Sequence, residues 1–292
     1  MSQEVVDVAI VGCGPAGLSA AINVRARDRS VNLHGVQFCT QKLHRSPEIR
    51  NYLGFPNITG PELREAFFGH LKTAGVEVLK GKITSIMPLG DQFILATAHD
   101  TFTARSVILA TGVSPTNYLP GEKELLGRGV SYCATCDGAL FRGRTVAVIG
   151  KGDEAREEAA FLAGLCAKVY WFGQPEEAPA AANVTVAGPT VKAIEGAGKV
   201  ERVTAGGESY PVDGVFILRE LTPAESLLPG LEMAEGAIKV DRQMATNLPG
   251  VFAAGDCTGR PYQLAKAVGE GLLAALSAVH YVDRRRGNQE KG

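Results

Sequence analysis

The hydrophobic positions fall into short blocks punctuated by glycine. Residues 5–11 (Val-Val-Asp-Val-Ala-Ile-Val) form an apolar, β-branched run of strand length. The run ends at Gly12-Cys13-Gly14-Pro15-Ala16-Gly17 and gives way to Leu18-Ser19-Ala20-Ala21-Ile22, which favours helix. Strand, glycine turn and helix in that order are the context that makes Gly-x-Gly-x-x-Gly informative. The design recurs 138 residues later. Residues 145–149 lead into Gly150-Lys151-Gly152-Asp153-Glu154-Ala155 and a helix expected through Ala163. Further strands are predicted at 30–36, 93–98, 106–110 and 169–172, the third ending in Ala110-Thr111-Gly112. Residues 250–254 run into Gly255-Asp256, and an apolar helix with glycines is expected over 265–278. The Pro/Ala-rich stretch 176–182 reads as a loop. The polar tail 283–292, with its three arginines, reads as a solvated, fraying end.

Two such units make the fold class α/β, with two Rossmann-like three-layer domains. The length of 292 residues agrees with about two domains. Apolar residues at 45% and charged residues at 21% exclude disorder as the main state. A net charge of −1 offers no basic field for nucleic acid. No apolar run reaches the 18 or so residues of a membrane span; the longest, 264–279, carries Lys266 and Glu270. The start, Met1-Ser2-Gln3-Glu4, lacks a basic n-region, so a cytoplasmic location is the expectation. Glycine is the outlier: 35 residues, against a usual share of about 7%. It points to tight turns and close backbone approach to ligands.

Gly12, Gly14 and Gly17 suit a pyrophosphate seated on a helix N-terminus, the alternative being a tight turn without ligand. The fingerprint also calls for an acid about 20 residues on, to hold a ribose. Here the second strand ends at His34-Gly35 without one, leaving Asn32 or a backbone group as substitute. The sharpest signal is Tyr132-Cys133-Ala134-Thr135-Cys136-Asp137-Gly138. A Cys-x-x-Cys in a reducing compartment is catalytic or metal-binding rather than structural. Zinc needs two further ligands at matching spacing. There is no second Cys-x-x-Cys, and His34, His44, His70, His99 and His280 stand singly, so no metal is expected. Asp137 is a candidate proton donor or acceptor for the cysteine couple. Cys13 lies inside the glycine turn, and Cys39, Cys166 and Cys257 read as small core or loop residues.

The order of a Rossmann unit, Ala-Thr-Gly, Cys-Ala-Thr-Cys-Asp-Gly, a second Rossmann unit and Gly-Asp before a helix resembles the low-molecular-weight thioredoxin reductases over nearly the whole chain. The resemblance implies an FAD-dependent disulfide oxidoreductase with a split flavin domain. Its halves would be 1–115 and 243–292, flanking a central nicotinamide-type domain, 116–242, that carries the disulfide. The implied FAD contacts are Gly12, Gly14, Pro15, Ala16, Gly17, Asn51 within Asn51-Tyr52-Leu53-Gly54-Phe55-Pro56, Ala110, Thr111, Gly112, Gly255, Asp256, Gln263 and Leu264. A second dinucleotide site would involve Gly150, Gly152, Asp153, Glu154 and Ala155. Cys133 would be the outer thiol that attacks a partner disulfide, Cys136 would lie against the isoalloxazine, and Asp137 would be the proton-transfer acid. A thioredoxin-like partner and a homodimer are implied as well.

The chain departs from that pattern in two places. Nicotinamide-dependent members carry His-Arg-Arg after the strand that follows the second glycine turn, where forked guanidinium donors meet the 2′-phosphate of NADPH. Here Val169-Tyr170-Trp171-Phe172 is followed by Gly173-Gln174-Pro175-Glu176-Glu177, with no cation in the seven residues after Phe172. NADPH is therefore not expected, unless Lys151 or Arg156 reaches the phosphate. Tyr170 and Trp171 are expected as buried strand aromatics rather than stacking platforms. On the flavin side, Gln37–Pro47 replaces the expected Gly-Gly-Gln-Leu, and Tyr262-Gln263 replaces Arg-Gln. Both changes resemble the branch that works without pyridine nucleotides, using ferredoxin or a second flavin. Lys42, His44, Arg45 and Arg50 could form a basic face for an acidic ferredoxin. The expected donor is ferredoxin or another low-potential carrier. The alternatives are an NAD(P)H-dependent thioredoxin reductase, with Glu176 on the ribose of NADH; a dithiol oxidase using oxygen; a diflavin enzyme; and a redox-responsive flavoprotein that binds a partner without turnover.

Overall fold

The computed structural model of the chain describes residues 5–35, 39, 41–44, 46–113, 118–132, 134–188, 190–218 and 223–289. In chain order the elements are β1 (Val6–Val11), α1 (Pro15–Arg25), β2 (Val31–Gly35), α2 (Gln41–His44), α3 (Gly60–Thr73), β3 (Val78–Lys80), β4 (Ser85–Leu89), β5 (Gln92–Ala96), β6 (Thr101–Leu109), β7 (Val130–Ser131), α4 (Ala134–Asp137), β8 (Thr145–Gly150), α5 (Gly152–Leu165), β9 (Lys168–Phe172), β10 (Val184–Val186), β11 (Val191–Glu195), β12 (Arg202–Ala205), β13 (Glu208–Pro211), β14 (Gly214–Leu218), α6 (Ala224–Leu227), β15 (Met233–Ala234), β16 (Ala237–Ile238), β17 (Val251–Ala253) and α7 (Leu264–Gln289). They form two compact units, Met1–Ser114 with Pro223–Gly292, and Pro115–Thr222.

In the first unit, β3, β2, β1, β6 and β17 run parallel, and β5 and β4 continue the sheet antiparallel from β6. Alternation along β1 sets the layers, since successive side chains point to opposite faces. Val8 and Ile10 pack with Leu18, Val24 and Ala275 of the two long helices. Ala9 and Val11 pack with Ile86, Phe93 and Leu95 of the antiparallel strands. The helix layer is close enough to require glycine: a Cβ on Gly271 of α7 would lie 2.2 Å from the Ala16 carbonyl oxygen.

Two expected boundaries move. Residues 223–242 belong with the first unit, not the central segment, because Ala224, Leu227, Leu228, Leu231 and Ile238 are buried beside Ile86 and Val251. The tail expected to fray is helical through Gln289. Asp283 is paired with Arg29 at 2.8 Å, and Arg286 with the buried Asp7, so the two ion pairs pin the last turns of α7.

The second unit holds an all-parallel sheet in the order β10-β9-β8-β14-β7 and an antiparallel β11-β12-β13 sheet. Val146 and Val148 of β8 face Leu162 of α5 and Trp171, while Ala147 faces Val191 and Val203 of the antiparallel layer. Trp171 is 0% exposed, and its indole Nε1 donates to the Gln174 carbonyl at 2.9 Å. It is a core residue, as its place in an apolar strand suggests.

Candidate functional site

The first glycine turn is built for close approach. Gly12 has φ +115°, and a Cβ there would lie 2.2 Å from the Ala110 carbonyl oxygen. A Cβ on Gly17 would lie 1.8 Å from the Gly12 carbonyl oxygen. Gly12 N–H donates to the His34 carbonyl and Ala110 N–H to that of Val11, fixing the turn over the ends of β1, β2 and β6. Above Gly14 there is open space within 4 Å of a Cβ position. Gly14 caps α1 without any side-chain hydrogen bond, and Pro15 starts the helix. Such a helix start presents unpaired N–H groups and the positive dipole end to an anion. The residues present therefore fit the pyrophosphate of a flavin dinucleotide.

Three more groups of expected contacts gather in this unit. Thr111 follows β6 with its hydroxyl buried, and Gly112 has φ +76°. Asn51 Nδ2 donates to Gln263 Oε1 at 3.0 Å, joining two residues 212 positions apart. Gly255 precedes the short turn Asp256–Thr258, and its N–H donates to Glu270 Oε2 at 2.9 Å. Lys266 Nζ donates to the Gly255 carbonyl, the Thr258 hydroxyl and Glu270, each near 3 Å. Lys266 and Glu270 thus form a polar brace under the Gly255-Asp256 corner, beside Leu264 at the start of α7. Their i, i+4 spacing in an apolar helix was its only sequence signal.

Cys13 and Cys39 do not stand as separate small residues. They form a disulfide, with Cα atoms 5.2 Å apart. The pair links the glycine turn to the segment after β2, 26 residues on. A Cβ at Gly35 would lie 2.2 Å from Cys13 Sγ. The end of β2 therefore has no room for the ribose-holding acid, because sulfur occupies that space. The neighbouring His34 is buried, and desolvation pushes its imidazole down to about 4.

In the second unit, Cys133 and the side chain of Cys136 lie outside the described residues. The backbone around them is held by carboxylates. Ala134 N–H donates to Glu158 Oε2 of α5 at 2.7 Å. Ser131 Oγ donates to Asp137 Oδ2 at 2.6 Å. Tyr132 OH donates to Glu122 Oε1 at 2.9 Å, and Leu119 N–H to Glu122 Oε2 at 2.8 Å, with Glu122 0% exposed. Among these, only Asp137 was singled out by sequence. Glu122, Ser131 and Glu158 act through contacts that spacing does not reveal.

The second glycine turn differs from the first in what meets its amide. Gly150 approaches the β14 end and Ala155, and Gly152 has φ +79°. Gly152 N–H donates to Glu177 Oε2 at 3.1 Å, so a carboxylate of this chain takes the amide a pyrophosphate would use. Arg156 is paired with Asp153 at 2.7 Å. The side chains of Glu154 and Lys42, and all of Arg45, lie outside the described residues. Exposed Arg50 pairs with Glu48 at 2.7 Å, and His44 is exposed. Among the described residues no cluster could hold a metal, and no helix is long and apolar enough to cross a membrane.

The sequence matches the pyridine nucleotide-disulphide oxidoreductase family over residues 6–271. The chain belongs to that family. Within it, the chain is 35% identical to the thioredoxin reductase of Bacillus subtilis, over 97% of each chain. A ferredoxin-flavin thioredoxin reductase from Clostridium acetobutylicum is 44% identical, with a TM-score of 0.89 over 96% of this chain and 98% of that one. A thioredoxin reductase from Gloeobacter violaceus is 30% identical, with a TM-score of 0.77 over 96% and 95%. This family member is a flavin-dependent thiol–disulfide oxidoreductase of the thioredoxin reductase type.

Proposed function

We propose that this enzyme draws electrons from ferredoxin or another low-potential carrier, without a pyridine nucleotide, and delivers them through FAD and Cys133–Cys136 to the disulfide of a thioredoxin-like protein. The observation that carries this reading is the occupied second glycine turn. Glu177 accepts the Gly152 N–H, and no cation stands in the seven residues after β9. The likeness to a protein described as a ferredoxin-flavin thioredoxin reductase supports it.

Gly12, Gly14, Pro15, Ala16 and Gly17 would bind the FAD pyrophosphate. Asn51, Ala110, Thr111, Gly112, Gly255, Asp256, Gln263 and Leu264 would orient the rest. Bound FAD supplies a site that gathers electrons singly and hands them on as a pair. The Cys133 thiolate attacks the partner's disulfide and displaces one of its sulfurs. The Cys136 thiolate then attacks Cys133 Sγ, closing the Cys133–Cys136 bond and releasing the partner as a dithiol. Asp137, oriented by the Ser131 hydroxyl, exchanges the protons that thiolate and thiol require. A homodimer in the cytoplasm completes the proposal.

The test is anaerobic stopped-flow mixing of the oxidised holoenzyme with NADPH, NADH and reduced ferredoxin, with flavin absorbance as readout and flavin-to-protein stoichiometry measured alongside. Bleaching by ferredoxin alone, with one flavin per chain, is expected. Fast bleaching by either pyridine nucleotide refutes the donor.

A further inference from the structure

The Cys13–Cys39 disulfide has no part in the electron path proposed above, yet it lies on the turn that would seat the flavin. Cys13 stands between Gly12 and Gly14. Both half-cystines belong to the packed layer beneath α1 and α7, where they are 4% and 6% exposed. Cys39 and Ser46 are also tied to α3. Arg64 Nε donates to the Cys39 carbonyl at 3.4 Å, and Gly60 N–H to the Ser46 carbonyl at 2.9 Å. A Cβ on Gly60 would lie 1.8 Å from the Leu43 carbonyl oxygen, so the two pieces touch backbone to backbone. At the end of β2, where a dinucleotide fold ordinarily offers a carboxylate to the adenosine ribose, Gly35 yields its space to Cys13 sulfur. A covalent strap stands where a charged contact would be.

We propose that Cys13–Cys39 is a second thiol–disulfide site, a redox-sensitive clasp on the adenosine half of the flavin site. The inference rests on the FAD reading above. Closed, the clasp holds Cys39 against the pyrophosphate turn and slows release of the flavin. It opens by exchange with a protein dithiol of the thioredoxin type. The donor's two thiols become a disulfide as the Cys13–Cys39 bond breaks, and two electrons and two protons leave Cys13 and Cys39 as thiols. Because Cys13 and Cys39 are buried, access to the bond depends on local opening. Coupling is therefore reciprocal: the closed bond retains flavin, and seated flavin shields the bond from reduction.

The experiment uses the purified full chain with its flavin. Free-FAD fluorescence reports release from oxidised wild type and Cys39→Ser, each with and without dithiothreitol as the probe dithiol. Release from Cys39→Ser is expected about tenfold faster than from oxidised wild type. Dithiothreitol should speed release from wild type and leave Cys39→Ser unchanged, since Cys133–Cys136 is reduced in both. A non-reduced digest should contain the Cys13–Cys39 peptide pair, and flavin-free protein should lose it to dithiothreitol about tenfold faster than the holoenzyme. Equal release from wild type and variant, or an equal effect of dithiothreitol on both, overturns the clasp. If Cys39→Ser does not fold, Cys39→Val and the wild-type arms decide alone. Wild type that binds no flavin refutes the FAD reading instead.

Discussion

Replacing Glu177 tests the assignment of the second glycine turn. Its carboxylate accepts the Gly152 N–H at 3.1 Å. A dinucleotide needing that amide faces two routes. With the carboxylate in place, a phosphate oxygen comes within about 4 Å of it, where like unit charges repel by about 4 kcal/mol at an effective dielectric of about 20. With the carboxylate swung away, a charge-assisted hydrogen bond worth about 2 kcal/mol is lost. The cheaper route sets the penalty, so Glu177→Ala should raise NADH affinity about thirtyfold. Glu177→Gln, which keeps a neutral acceptor, should raise it less. NADPH should gain no advantage over NADH until a cation is added. Gly173 cannot supply the site for it, since a Cβ there would lie 2.6 Å from the Gly150 carbonyl oxygen; exposed Gln174 can. Glu177→Ala with Gln174→Arg should favour NADPH. Titration calorimetry of the oxidised proteins reads each affinity. A change in NADH affinity below about threefold in Glu177→Ala would show that the carboxylate does not obstruct the turn.

Three further outcomes follow from named contacts. Removing the charge of Glu158, whose Oε2 accepts the N–H of Ala134 next to Cys133, should favour the thiolate there; Glu158→Gln should shift the pH profile of thiol alkylation in the reduced enzyme down by about one unit, and an unmoved profile counts against it. Gly35→Glu should prevent the disulfide, since its Cβ meets Cys13 Sγ at 2.2 Å, whereas Gly35→Glu with Cys13→Gly should restore folding and flavin binding; rescue that fails in flavin titrations refutes the steric account. Buried His34, held neutral with its imidazole near 4, takes up a proton more readily when unfolded; stability should therefore be full above about pH 6.5 and fall toward pH 4, by on the order of 3 kcal/mol, in a slope that thermal melts of His34→Gln should lack.

What was legible in sequence is what local backbone geometry demands. Gly12 needs a positive φ and a bare Cα, and any chain with strand, turn and helix in that order shows it. The apolar runs of β1 and β8 were legible as strands, while which neighbours each face meets came only with the fold. Absent charge was legible too: the lack of cations after Phe172 and of an acid at Gly35 could be read directly. What replaced those charges could not. Cys39 lies 26 residues from Cys13, Glu177 25 residues from Gly152, and Glu158 24 from Ala134, so each pairing depends on strands and helices already being in place. The boundary at 223 was hidden for a similar reason. Ala224, Leu227 and Leu228 are apolar, but nothing local names Ile86 as their neighbour. The helical tail needed Asp7 and Arg29, the far end of the chain, to hold it.

The two glycine turns then separate by what the chain has done to each. Both have lost the charge that ordinarily ends the following strand. In the first, the loss is made good by sulfur, which fills the space beside Gly35 and leaves Gly14 bare, with open room above it. In the second, the loss is compounded, because Glu177 brings a negative group onto the amide of Gly152 itself. An anion at the first turn meets unpaired N–H groups and a helix dipole; at the second it must first displace a carboxylate. Two copies of one supersecondary unit thus carry opposite electrostatics. Under the function proposed above a dinucleotide would favour the first turn, while α5, which follows the second, holds the Ala134 N–H through Glu158.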